Sequence, residues 1–229
     1  MLIGTTASSP KGLFDAAVLI GGTAQPLYRR IAGGALFTAG WPGAAYTLRV
    51  RAIRPGRIEM ITTVDGRNTL KDEPGDAEQN LGLVFTGHHE FTGWRISDQA
   101  TREFTFGAPE RSVAARAAGP AANTGIVGFA AYQEAAKLGY GGVLRSRAVA
   151  AAPPASAGGG LRSGLGTGIG ERREDVVGST HFERAPGAPD ILVIRYDTAE
   201  ALEAMGITGP AEPQAFPGGG TGYERYAGL

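Results

Sequence analysis

His88 and His89, followed by Glu90, and His181, followed two residues later by Glu183, are the side chains best suited to ligate a metal ion. Neighbouring residues of a strand point to opposite faces, so His88 and His89 could not easily share one ion. The pair reads instead as the exposed tip of a hairpin. The same His181 and Glu183, with Asp197, are the residues a hydrolase or a metal-dependent enzyme would use. No GxSxG nucleophile elbow occurs. The glycine run at 164–170 (GLGTGIG) resembles a phosphate loop, but position 169 is Ile, position 171 is Glu, and no Lys-Ser/Thr follows. Asp65, Asp72, Glu73 and Asp76 could gather calcium, yet the spacing of a calcium-binding loop is missing. They read as a solvated acidic loop. No metal and no cofactor is expected.

Two further groups could bind ligands rather than transform them. Trp41 and Trp94, with Phe91, Phe104 and Phe106, could stack on sugar rings. At strand spacing such aromatics more often belong to a core, and this applies most to Trp94. Trp41 lies in a Gly/Pro-rich turn. Arg49, Arg51, Arg54 and Arg57 could touch phosphates, but the chain has 22 basic and 22 acidic residues and Glu59 is close by. No field draws in nucleic acid or an anionic membrane. Near-zero net charge also weakens the repulsion between copies, which permits self-association.

These residues must be held by strands. The chain is 229 residues long and 42% apolar, enough for a real core, and it has no cysteine, so a disulfide framework is excluded. Only Lys11, Lys71 and Lys137 among the basic residues are lysine. No stretch of about 18 apolar residues occurs, and the N-terminus lacks a basic region followed by an apolar one. The expectation is a soluble protein, cytoplasmic or released by a non-classical route.

Tyr46, Leu48 and Val50 alternate with Thr47, Arg49 and Arg51, the period of a half-buried strand. Residues 58–64 form a second strand. Asp65-Gly66 then predicts a two-residue hairpin to 67–70, because a type I′ turn needs positive φ at both central positions. Residues 72–80 are a polar loop. Residues 83–85 and 90–94 are expected to pair across a turn at 87–89, and 102–106 alternates again. One short helix is expected within 109–118. Residues 126–133 read as a long apolar strand covered on both faces, with Gly125 and Gly128 marking a bulge or a close backbone approach. Strands are expected at 179–184 and 190–197. Thr198 is a suitable N-cap for a helix over 199–205 that Gly206 ends.

Short strands at this spacing predict a mainly β fold, an antiparallel β-sandwich or barrel with one or two short helices and extended terminal arms. The expected division is an N-terminal arm (1–44), a β-sandwich core (45–148), a Gly/Pro/Ala-rich linker (149–168), C-terminal strands with a helix packing on the core (169–208), and a Gly/Pro-rich tail (209–229). Residues 64–130 resemble an uncharacterised β-rich domain of bacterial hypothetical proteins through VDG-N at 64–68, GWR-S at 93–97, F-F at 104–106 and NTGIVGFA at 123–130. The run GTGIGERRE at 166–174 looks like the second half of that family. Where the family carries a GTGHG run this chain has Ile169, which removes the best candidate for a catalytic histidine. The family has no established activity, so the resemblance implies a fold and no functional residues.

The functional expectation is a non-enzymatic structural protein whose partner is itself, with no nucleic acid and no membrane insertion. Its terminal arms would supply the contacts, through Phe14, Val18, Ile20 and Tyr28 at one end and Phe216, Tyr223 and Tyr226 at the other. The alternative is a carbohydrate- or small-ligand-binding module using Trp41 or Trp94, and a hydrolase is the weaker alternative.

Overall fold

A computed structural model of the chain describes residues 1–30, 33–117, 123–136 and 163–208. The strands form two eight-stranded sheets packed face to face and not closed into a barrel. The first sheet runs β1 (Leu2–Gly4), β5 (Leu27–Arg29), β6 (Leu36–Ala39), β16 (Asp190–Asp197), β14 (Ile126–Gln133), β8 (Ile58–Val64) and β10 (Leu83–Phe85), with β9 (Arg67–Asn68) paired to β8. The second runs β12 (Gly93–Ser97), β13 (Ala100–Gly107), β7 (Ala45–Ala52), β3 (Phe14–Ile20) and β2 (Ala7–Ser8), with β11 (His88–Phe91) on β7, β15 (Gly166–Glu174) on β13 and β4 (Thr23–Ala24) on β3. Every described strand pair is antiparallel except β6 with β16. The mainly β, sandwich-like fold is the one expected.

The period-two strands point their apolar side chains between the sheets. Ile58, Met60, Val64, Val127, Phe129 and Ile194 of the first sheet meet Phe14, Val18, Tyr46, Leu48, Val50 and Phe104 of the second. β14 lies between β16 and β8, which explains its near-continuous apolar run. Its other face, Ala130 and Tyr132, packs with Ile61 under Phe182. Ile126 is only half-buried, contrary to expectation, because it begins the strand on the outward side. An added Cβ at Gly128 would come within 2.6 Å of Thr63 Oγ1, so the expected close approach is present.

Local signals read correctly. Asp65 (φ 50°) and Gly66 (φ 76°) make the two-residue turn between β8 and β9, pairing Val64 with Arg67. Helix α2 (Ala199–Ala204) is capped by Thr198, whose Oγ1 accepts from Ala201 N at 3.1 Å. The 109–118 helix is a 3₁₀ turn (Pro109–Arg111) followed by one turn of α-helix, α1 (Val113–Arg116), capped by Ser112.

Long-range expectations needed correction. Residues 1–44 are not an arm. They supply β1 to β6 to both sheets, and Phe14 and Val18 lie in the chain's own core because β3 is covered on both faces. Ile20 and Tyr28 are half-buried, Tyr28 against Phe37 and Leu202. Residues 83–85 and 90–94 do not pair with each other. The chain crosses between sheets at Thr86-Gly87, so β10 joins β8 and β11 joins β7. His88 and His89 accordingly sit in a strand rather than at a tip. Residues 166–168 of the expected linker are the start of β15, and β16 is a central strand rather than an addition to the core. Residues 179–184 form no strand beyond a single bridge from Arg184 to Glu134, because this segment crosses from one sheet to the other. Residues 149–162 of the expected linker, and Phe216, Tyr223 and Tyr226, fall outside the described residues. No described helix is long and apolar enough to cross a membrane.

Candidate functional site

A cleft of about 900 Å³ opens among the described residues. One wall is β10, whose three consecutive residues Leu83, Val84 and Phe85 all line it. Consecutive strand residues face opposite sides, so a cavity touching all three must run along the strand's edge. Among the described residues β10 pairs only with β8, in the register Leu83–Met60 and Phe85–Ile58, which leaves its other edge open. The other wall is the crossing segment 176–180. It is anchored to the β12–β13 turn through Val177 N donating to Asp98 O at 2.8 Å.

Toward the interior the cleft is aromatic. The His89 ring lies 5.5 Å from Phe85 and 4.9 Å, edge-on, from Phe91. Burial holds the His89 imidazole below its ordinary pKa, with Asp175 pulling the other way, so it is neutral at pH 7.

Toward the exterior the cleft is built on an ion pair. Arg184 donates through Nε to Glu59 Oε2 at 2.6 Å and through Nη2 to Glu59 Oε1 at 3.1 Å. It also donates to the carbonyls of Glu78 and Asn80, and its guanidinium lies 4.3 Å from the Tyr132 ring centroid. Glu59, buried, accepts a further bond from Gly82 N. The carboxylate beside Arg184 raises that guanidinium's pKa further. With its donors occupied in this way, Arg184 fixes the 78–82 loop against β8 and has little left for a ligand. Glu78 and Glu183 also line the cleft, and among the described residues neither carboxylate is in an ion pair.

A second constellation lies buried between the sheets and was not legible as a site. Asp65, 1% exposed, accepts from Gly125 N at 2.8 Å and Tyr196 Oη at 2.6 Å on Oδ1, and from Thr167 N at 2.6 Å on Oδ2. Thr167 Oγ1 in turn shares hydrogen bonds with Tyr46 Oη at 2.7 Å and Tyr196 Oη at 2.6 Å. Burial pushes the Asp65 carboxyl up to about 6, against the pull of its donors. Burial likewise raises both phenols well above their ordinary value, with Asp65 adding to it. The network ties β7 and β15 to the β8–β9 turn, β14 and β16. It is sealed from solvent, so its chemistry is that of a clamp. Nothing in the sequence distinguishes Asp65 from an ordinary turn aspartate, since its partners lie 60 to 131 residues away.

The other sequence candidates disperse. Trp94 is core, donating from Nε1 to Gly168 O at 3.1 Å and set edge-on to Phe104, and Trp41 is 48% exposed, so neither lines the cleft. Among the described residues no group of three or more His, Cys, Asp or Glu is placed to hold a metal. His89 lines the cleft while His88 and His181 are exposed. The glycine run 164–170 is spent on β15, where Thr167 N serves Asp65. In the acidic loop, Asp72 pairs with Arg67, Glu73 accepts from Asn80, and Asp76 accepts from Glu78 N and Gln79 N, which lowers its pKa. Arg49, Arg51 and Arg57 are paired with Glu90, Asp15 and Glu134, and Arg54 donates to Lys11 O.

Comparison of the chain with protein-family models, with curated proteins and with solved structures found no match. The fold and the cleft therefore define the protein only as a β-sandwich with an open-edged groove.

Proposed function

We propose that this protein is a non-catalytic binding module and that the cleft along β10 holds its ligand. The observation that carries the reading is the cleft's form, a concavity of ligand size with an aromatic interior side and an acidic exterior side. The buried Asp65 network supports binding over catalysis, because the strongly perturbed carboxylate is closed to any substrate. Gly178 lines the cleft, has an ordinary φ, and an added Cβ there meets no atom within 4 Å. A Gly178→Trp variant should fold normally and fill the cleft. The test screens wild type and this variant side by side against an oligosaccharide panel and a displayed library of random linear peptides. Ligands that bind wild type and are lost in the variant support the reading. Ligands that bind both equally place the site elsewhere and overturn it.

Self-association is the second reading. The edges of β1 and β10, open among the described residues, together with zero net charge, favour it. It no longer draws on Phe14 or Val18. Its measure is mass in solution by light scattering, where a monomer at high concentration would end it.

A further inference from the structure

Resting on the binding reading, we infer that the ligand of this cleft is an extended peptide that adds as a strand to the open edge of β10, with apolar side chains on its inward face and basic side chains on its outward face.

The backbone comes first. Among the described residues, β10 pairs with β8 alone. No described backbone hydrogen bond joins it to residues 176–180, although both segments line the same cleft over consecutive residues. Among the described residues the β10 backbone facing segment 176–180 is thus unpaired, and the cleft runs along that edge. Main-chain donors and acceptors on an open sheet edge are best met by another strand, because they repeat at the spacing of a peptide backbone and not of a sugar ring. A sugar would ask for a free aromatic plane; neither tryptophan lines this cleft, and of the two phenylalanines that do, Phe85 lies 5.5 Å from the His89 ring and Phe182 sits under the Arg57 guanidinium at 5.8 Å.

The side chains set the sequence. An added strand places alternate residues on opposite faces of the sheet. On the inward face its side chains would meet Phe85 and the neutral His89, packed against the main core. On the outward face they would meet the neighbourhood of Val84 and Glu59, where Arg184 is already held by Glu59 and two carbonyls. The carboxylates there that form no ion pair among the described residues are those of Glu78 and Glu183. The complementary ligand alternates apolar residues with Lys or Arg. Two weak charge contacts of this kind tune selection, while the main-chain bonds carry the register.

The test uses the full chain and the same displayed library of random linear peptides. Enriched sequences should alternate apolar and basic residues. A synthetic peptide of the enriched sequence should lose affinity by about tenfold or more when the amides of alternate residues are N-methylated on the edge-facing side, because two main-chain hydrogen bonds are removed. Glu78→Gln combined with Glu183→Gln should weaken it by about fivefold and flatten its salt dependence. Amide chemical-shift changes should centre on residues 82–86. A peptide blocked by Gly178→Trp but indifferent to N-methylation in either phase overturns strand addition and leaves the binding reading intact. The same holds if only oligosaccharides bind in a cleft-dependent way. Loss of all cleft-dependent binding overturns both readings together.

Discussion

Asp65 does two jobs that compete. As a turn residue it sits at φ 50°, a conformation Asp tolerates better than most. As a buried carboxylate it gathers backbone donors from Gly125 and Thr167 and a phenol from Tyr196. Burial leaves its pKa near 6, above the ordinary value of 3.8. The folded chain then takes up the proton more readily than the unfolded one. The contribution of this group to stability is complete below its unfolded value and is lost as the pH rises through its folded value. Relative to Asp65→Asn, the wild type should gain about 2 kcal/mol between about pH 7.5 and about pH 4.5, read from urea unfolding of both proteins. Because other carboxylates titrate in both proteins, only this difference is diagnostic. A difference that is flat, or that shrinks on acidification, would show that the donors outweigh the burial.

At the scale of elements, two strands make discriminating tests. β14 puts Val127 fully into the core and Ile126 at its half-covered start. Val127→Asp should cost about 4 kcal/mol or prevent folding, since an unpaired charge joins lost packing. Ile126→Asp should cost less than half of that, although the two residues are adjacent in an unbroken apolar run. Equal losses in thermal or chemical unfolding would place Ile126 inside after all. The second strand is the continuous stretch 88–97, which leaves β7 after Phe91 and joins β13 at Gly93. An added Cβ at Gly93 would lie 1.9 Å from Arg102 O. That atom is backbone in a paired strand and cannot swing away. Gly93→Ala should therefore lower the melting temperature by more than 10 °C, roughly the effect of a loss of several kcal/mol, whereas Gly178→Ala should be silent.

For the molecule as a whole, the first 40 residues decide whether there is a fold. They supply strands to both sheets, and β3 lies between β7 and β2. Deleting residues 1–40 should leave a chain without strand signal in circular dichroism and prone to aggregate. This outcome separates an integral segment from a detachable arm, which would leave the β spectrum intact. The Asp65 clamp adds to the same unity, since its partners come from residues 46, 125, 167 and 196 and join both sheets.

The parts of this architecture that could be read from sequence are those carried by neighbours in the chain. The Asp65-Gly66 turn, the outward Arg49 and Arg51 against inward Leu48 and Val50, and the Thr198 cap all depend on residues a few positions apart. Periodicity tells which side of a strand is buried. It does not tell which strand lies beside it. The crossing at Thr86-Gly87, the parallel pairing of β6 with β16, and the burial of Phe14 and Val18 were settled by competition among all edges of two sheets. The cleft belongs wholly to that second class. Its walls come from residues 83–85 and 176–180, its exterior side from Arg184 reaching Glu59 across 125 positions. No short-range pattern encodes such a meeting, because strand pairing is satisfied equally well, locally, by any free edge.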